Sequence, residues 1–375
     1  MKIAIINNLN KPFSRGGAER ICELQKKGLE KSGNEVINIS VKPYFSEQKN
    51  NSDNFYLKGF FPYLNKIPKF LRLFWHIANI LNFINTIKVL YILKKENVDK
   101  VFTHNFTGIG FLTLFFVSKF YSQIHFLHDI AMIHPSGLMY YRKEDKIDSL
   151  TSRYYQKLTI LFTLTIKNVV APSNWIIKLH EKKGFFKKAT KLKYFNPLDD
   201  DEFFNRTHNH TRDFIYIGLV AKHKGIDTLL KAWQDIDSNI KKDIKLKIVG
   251  KLISKDLLKS ADNSILVLGE KNRSDLKKEL VNSACLIMPS TCYENSPTVI
   301  YEAGIKGLNI ISSDIGGAGE IARFFHASLF EASNVNELKD LIIKEIKNPQ
   351  QYIIEEGELL KLKLNTYIEN ILKIN

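Results

Sequence analysis

The chain has 375 residues, 44% apolar and 25% charged; the length favours two domains over one core, and the composition excludes a disordered or collagen-like protein. Its net charge of +16 is unevenly placed: residues 1–205 carry 31 Lys and Arg against 17 Asp and Glu, a net +14, whereas residues 206–375 carry 24 against 22, a net +2. The three cysteines (Cys22, Cys285, Cys292) are spaced without pattern, which excludes a disulfide framework or a zinc spacing and fits a reducing compartment.

In chain order, "KIAIIN" (2–7) is a continuous apolar run, as in a strand buried on both faces, and it is too short for a signal peptide. A glycine-containing loop follows, then a helix from about Ala18 to Lys31 and a strand at "EVINISV" (35–41). Residues 55–95 form an aromatic and basic region with at least one helix. "DKVFTHN" (99–105), "QIHFLHD" (123–129) and "NVVAPS" (168–173) are strands that each end in polar residues, where an open α/β sheet presents its ligand groups. "FTGIGFLTLFFVSKFY" (106–121) is the most apolar stretch, but Lys119 ends it early, so it reads as a buried helix rather than a membrane span.

After a polar stretch, "RTHNHTRD" (206–213), the pattern restarts. "FIYIG" (214–218), "KLKIVG" (245–250), "SILVLG" (264–269), "ACLIMP" (284–289) and "LNIISS" (308–313) are five short β-rich runs separated by helical patterns at βαβ spacing. The chain closes with helical segments. The fold expected is therefore α/β, with two Rossmann-like, doubly wound parallel-sheet domains facing a central cleft. The domains are expected at 1–205 and 206–360, with a C-terminal helix (361–375) returning to the first.

Within "MPSTCYENSPTVIYEAGIKG" (288–307), Pro297 sits where a helix would begin, with Glu294 in the turn before it and Glu302 one to two turns in. Two carboxylates flanking a helix N-terminus, whose free N–H groups attract anions, suit a ligand carrying both hydroxyls and phosphate. His104 and Asn105 end one strand and His128 another. Gly16 and Gly17 permit close backbone approach. Arg15, flanking them, is a candidate phosphate contact, and Arg20 can instead pair with Glu19 or Glu23.

These motifs resemble the retaining GT-B glycosyltransferases of the family 4 (group 1) type, over nearly the whole chain. The resemblance rests on Glu294-x7-Glu302, "IGLVAKHKGIDTLLKAW" (217–233), "IVGK" (248–251), "GGAGE" (316–320), "GGAER" (16–20), "HDI" (128–130), "APSNW" (171–175) and "NPLD" (196–199). It implies a transferase moving a sugar from a UDP- or GDP-linked donor, with retention and without a metal or other cofactor. It assigns Glu302 to the nucleotide ribose, Glu294 and His128 to the donor sugar, and Lys224 to the diphosphate. Gly218, Lys222, Gly250, Asn295, Ser296, Pro297 and Thr298 complete the donor set. Arg15, Gly16, Gly17, His104 and Asn105 are assigned to acceptor or phosphate. The family's arginine after the first strand of the second domain is here Leu219, with Lys222 or His223 as substitutes from the same turn.

The absence of an obvious DxD motif fits the expectation that no metal is bound, and "LDDDE" (198–202) reads as a solvated acidic turn. "FYLKGFFPYLNKIPKFLRLFWHIANILNFINTIKVLYILKK" (55–95) and "KLHEKKGFFKKATKLK" (178–193) interleave aromatics with lysines, as basic interfacial helices do. The expected setting is cytoplasmic, peripheral on the inner membrane face, with a saccharide or lipid-linked acceptor in bacterial surface polysaccharide assembly. Three other readings are a non-catalytic partner of the same fold, prompted by Leu219, a nucleotide-sugar epimerase, and a nucleic-acid binder. The last lacks any helix-turn-helix, RNP, OB or zinc pattern.

Overall fold

The computed structural model describes residues 1–14, 16–66, 68–203, 211–258, 262–349 and 354–374. The chain divides into two compact units. One comprises Met1–Leu138, Asp145–Pro197 and Lys361–Asn375; the other comprises Met139–Glu144 and Leu198–Leu360.

In the first unit the chain runs β1 (Lys2–Ile6), α1 (Gly17–Lys31), β2 (Glu35–Pro43), β3 (Asn54–Gly59), α2 (Lys69–Ile80), α3 (Phe83–Lys95), β4 (Lys100–Thr103), α4 (Phe111–Phe120), β5 (Ser122–Phe126), α5 (Leu150–Leu161), β6 (Asn168–Ala171), α6 (Asn174–Lys182) and β7 (Thr190–Lys193). All seven strands are parallel, in the order β3-β2-β1-β4-β5-β6-β7. The order reverses between β1 and β4, so their carboxyl ends open the crevice in which such sheets take ligands. Helix α1 packs on the face of the sheet that carries Ile3, Ile5, Phe102, Ile124 and Val170.

The second unit runs β8 (Phe214–Ile217), α7 (Ile226–Gln234), β9 (Leu246–Val249), β10 (Ile265–Gly269), α8 (Arg273–Val281), β11 (Cys285–Met288), α9 (Thr298–Ile305), β12 (Asn309–Ser313), α10 (Gly316–Phe324), β13 (Ser328–Phe330), α11 (Val335–Lys347) and α12 (Glu356–Leu360). Its parallel order is β10-β9-β8-β11-β12-β13, with the reversal between β8 and β11. Helix α7 shows why such a unit folds. Ile226, Leu229, Leu230 and Trp233, at helical spacing, are all buried in one core with Phe214, Leu246 and Ile287. The closing helix, α13 (Leu364–Leu372), packs on α1 in the first unit, where Gln25 Nε2 donates to Tyr367 Oη at 3.0 Å.

Three strands are additions to the sequence reading. β3 lies inside the aromatic region, β7 is an edge strand in a lysine-rich segment, and β13 spans only three residues. The 178–193 run is not an interfacial helix. α6 ends at Lys182, Gly184 and Phe186 take positive φ, and the Phe185 and Phe186 rings are buried in the core. The three cysteines are buried free thiols. The expected boundary at 205/206 and most of the polar stretch after it lie outside the described residues; the second unit begins at Leu198 and also takes in Met139–Glu144. Glu202, in the acidic run, is not solvated. It is buried, with Arg273 and Lys277 on its carboxylate.

Candidate functional site

In the second unit the site is built at the carboxyl ends of β8, β9 and β11. The chain leaves β8 through Gly218 and Leu219 into a single turn carrying Lys222, His223 and Lys224, and Gly225 then opens α7. Gly225 has φ of +69°, and a Cβ there would stand 1.7 Å from the Pro289 carbonyl oxygen. Only glycine lets the lysine turn and the β11 loop approach so closely. Gly250, after β9, does the same for Gly218, whose carbonyl oxygen would be 1.8 Å from an added Cβ.

That contact brings Lys224 against Glu294, with Nζ 2.8 Å from Oε2. Ser290 Oγ donates to the other oxygen, Oε1, and Ala318 N–H at the start of α10 donates to the Glu294 carbonyl at 3.0 Å. Burial alone would lower the Lys224 pKa, but the Glu294 carboxylate outweighs it and holds the ammonium above its ordinary value. An ammonium has three donors, so bonding Glu294 leaves Lys224 capacity for phosphate oxygens. Lys222 is exposed in the same turn. Leu219 stands where the resemblance expects arginine; it is 41% exposed, and its carbonyl accepts from Tyr216 Oη at 2.7 Å.

The loop continues through Asn295 and Ser296 to Pro297, which is extended and caps α9, so the helix begins at Thr298. The Ser296 hydroxyl bonds Tyr301 Oη at 2.7 Å. Glu302 is on the second turn of α9 and 6% exposed, with Oε1 3.4 Å from both terminal nitrogens of Arg273, the first residue of α8. The same guanidinium bonds Glu202. Burial would raise the Glu202 carboxyl, yet Arg273 and Lys277 hold it below the ordinary range. Nothing local in the sequence announces Arg273, because its partners lie 29 and 71 positions away.

Residues 139–144 form a strap on the same loop. Tyr293 N–H donates to the Met139 carbonyl at 2.9 Å, Tyr141 N–H to the Thr291 carbonyl at 3.0 Å, and Tyr293 Oη to Glu144 Oε1 at 2.7 Å. These bonds fix the segment that carries Glu294. Sequence reading missed them, since the strap lies 149 positions before its partner.

In the first unit, Gly16, Gly17, His104, Asn105 and His128 gather at the carboxyl ends of β1, β4 and β5. Gly16 caps α1, and its N–H donates to Glu19 Oε2 at 3.0 Å, so a carboxylate of the chain already occupies part of this helix N-terminus. Asn105 N–H donates to Asn7 Oδ1 at 3.2 Å. His128 is half-buried, and burial pushes its pKa down to about 4; burial pushes Asp129 up to about 6, with Glu19 adding to the rise. His104 is 1% exposed, and its ring is in contact with that of His128. Arg15 lies outside the described residues.

The model of the family "Glycosyl transferases group 1" matches residues 199–359. Over its full length the chain is 23% identical to a 42.6 kDa protein in the cps region of Klebsiella pneumoniae, covering 100% of this chain and 99% of that protein. Among solved structures, Anabaena HepE in complex with UDP aligns with a TM-score of 0.68 at 14% identity, over 100% of this chain and 99% of that one. The lipopolysaccharide outer core galactosyltransferase WaaB aligns with a TM-score of 0.65 at 14% identity, over 99% and 98%. The two-sheet architecture is the GT-B fold. The matched residues lie within the second unit, and the match supports a glycosyltransferase enzyme.

Proposed function

We propose that the protein is a retaining, metal-independent glycosyltransferase. It moves a sugar from a UDP- or GDP-linked donor to a saccharide or lipid-linked acceptor in bacterial surface polysaccharide assembly. The observation that carries the donor reading is the Lys224–Glu294 pair, seated at the strand-order reversal of the second sheet beside the start of α9. As the bond to the anomeric carbon breaks, the departing diphosphate gains charge. Lys224 and the N–H groups opening α9 oppose that charge without reorganising. Glu294, held by Ser290 and Lys224, accepts from sugar hydroxyls, and Glu302 accepts from the ribose. Retention then follows from front-face attack, with the leaving phosphate taking the acceptor's proton. HepE in complex with UDP favours a uridine donor, and the cps-region relative and WaaB favour a cell-surface glycan.

The test is transfer by the purified protein from UDP- and GDP-sugars to saccharide acceptors, with the new anomeric configuration read by proton NMR. Retention from one nucleotide family is expected. Inversion, or a requirement for a divalent ion, overturns those parts of the reading. The second reading, a non-catalytic partner, is favoured by Leu219 in place of arginine, and absence of nucleotide binding with no turnover would establish it.

The same reading sets the protein on the cytoplasmic face of an anionic membrane. Its support is that α3 and α5 each leave an apolar row exposed. On α3, Asn85, Thr86, Val89 and Leu93 are buried, Thr86 bonded to Thr113, while Phe83, Ile84, Ile87 and Tyr91 are exposed. On α5, Ser152, Gln156 and Thr159 are buried, while Leu150, Tyr154, Leu158 and Leu161 are exposed. Lys88, Lys94 and Lys95 flank the first row and Arg153 and Lys157 the second. Apolar rows beside basic residues match the headgroup boundary, where each Lys or Arg adds about 1 kcal/mol. The stretch Phe74–Lys95 has the length and composition to cross a membrane, but it breaks between α2 and α3 at Asn82, whose side chain caps α3. Cosedimentation with vesicles containing phosphatidylglycerol, lost in an Ile84→Glu/Ile87→Glu variant, is expected. Equal sedimentation of the variant overturns the reading.

A further inference from the structure

Adjacent parallel strands deliver His104 and His128 side by side at the carboxyl edge of the first sheet. His104 Nδ1 and His128 Nε2 are 2.7 Å apart. The ring centroids are 5.0 Å apart and the planes differ by 18°. With so short a contact between nitrogens, that separation requires the rings to lie edge to edge in nearly one plane. The hydrogen bond therefore runs along the ring lone pair, the strongest alignment two imidazoles can make. Phe126 lies parallel against His104, with centroids 4.8 Å apart and planes within 8°, and the His104 backbone N–H donates to the Ile6 carbonyl at 2.9 Å.

Burial lowers both imidazole pKa values, that of His128 to about 4 and that of His104 well below its ordinary value. At neutral pH each ring then carries one proton, and one ring must donate to the other. The other nitrogen of His104, Nε2, is buried without a hydrogen-bond partner among the described residues. If His128 donated, the His104 proton would sit on Nε2 as an orphaned buried N–H. If His104 donates from Nδ1, only a lone pair is left unsatisfied. Protein interiors tolerate the second more readily than the first.

We infer that His104 is a positioning residue that donates from Nδ1 to His128 Nε2, fixing His128 in one ring orientation as the tautomer protonated on Nδ1. The partner on one ring nitrogen decides what the other nitrogen offers, so His128 presents an N–H donor rather than a bare nitrogen. The consequence for catalysis rests on the proposed reading that His128 faces the donor sugar. A donor at that place suits a sugar hydroxyl or ring oxygen acting as acceptor.

The test is nitrogen-15 NMR of the full chain with labelled histidine, the His128 signals being assigned through His128→Gln. The expected spectrum shows His128 protonated on Nδ1 and bare on Nε2. In His104→Phe, which keeps a ring against Phe126, His128 shifts toward protonation on Nε2. In His104→Asn, whose amide nitrogen takes the place of Nδ1, the original pattern returns. Kinetically, His104→Phe loses about ten- to hundredfold in kcat with little change in donor KM, by analogy with the range for partners that orient metal-bound histidines, and His104→Asn recovers most of it. A wild-type His128 protonated on Nε2, or a tautomer unmoved by His104→Phe, overturns the inference. A tautomer that responds as expected while kcat stays unchanged supports the dyad and overturns the sugar-facing role of His128.

Discussion

Helix α7 in the second unit buries its apolar row, whereas helices α3 and α5 in the first unit each leave an apolar row at helical spacing exposed. On α7 the row Ile226, Leu229, Leu230, Trp233 is buried against the sheet. On α3 the row Phe83, Ile84, Ile87, Tyr91 is exposed, with Ile84 at 68%, and the buried face mixes Val89 and Leu93 with Asn85 and Thr86. Periodicity thus identifies a helix face without saying what that face meets. The sign comes from what the opposite face can satisfy. Asn85 Nδ2 finds the Gly108 carbonyl and Thr86 finds Thr113, so the two polar residues on the buried face of α3 sit beside Val89 and Leu93 without loss.

That contrast is most sharply broken by truncating each row. Trp233→Ala removes a fully buried indole whose Nε1–H bonds Ser264 Oγ at 2.8 Å, and should cost about 3–5 kcal/mol by urea unfolding. Ile87→Glu on α3 should change stability by less than about 0.5 kcal/mol and reduce vesicle binding instead. A large stability loss in Ile87→Glu would mean that this row is covered in the folded protein.

Next in size is the site itself. Lys224→Met should lower kcat about 10²- to 10³-fold, the range for losing one electrostatic contact to developing charge, with the unfolding midpoint nearly kept. Gly225→Ala should do comparable damage by another route, since its Cβ cannot coexist with the Pro289 carbonyl oxygen. An active Gly225→Ala variant would contradict the packing that seats Lys224.

A smaller effect separates the units by pH. Burial lowers His125 to about 3, His128 and His180 to about 4, and His104 well below its ordinary value, all in the first unit. Their folded pKa values lie below the unfolded value of about 6.5. Between about 4 and 6.5 the unfolded chain therefore binds more protons, and these groups lose stability as pH falls through that window. Asp129, raised to about 6, works the other way but stands against these four imidazoles and against His76 and His134, which burial also lowers. The first unit should have a lower urea midpoint at pH 5 than at pH 7.5, and His180→Phe should flatten that dependence. An equal midpoint at both values would show that the imidazoles do not control it.

The second unit was the more legible from sequence, for a physical reason. Its site residues sit in loops directly after short, continuous apolar strands, so the order of Gly218, Lys224, Gly250 and Glu294 along the chain already maps one sheet edge. The continuous runs at β1, β8 and β11 were equally plain because both faces of a parallel sheet are buried. What stayed hidden depends on distance in sequence or on marginal strand length. Arg273 meets Glu302 and Glu202 only through the fold, and the strap at 139–144 meets Tyr293 the same way. β7 is an edge strand whose lysines look like a helix surface, and β13 is too short to show any period. His104 was legible as a strand-end residue but not as the neighbour of His128, which takes the register of β4 against β5 to reveal.

The central claim is that Lys224, paired with Glu294, receives the diphosphate of a nucleotide donor. Titration calorimetry of UDP and GDP into the wild type and Lys224→Gln tests it most directly. The account predicts that one nucleotide binds the wild type and loses at least about tenfold, or about 1.4 kcal/mol, in the variant. Equal affinity in both proteins would contradict it, leaving the Lys224–Glu294 pair as a brace of the β11 loop and nothing more.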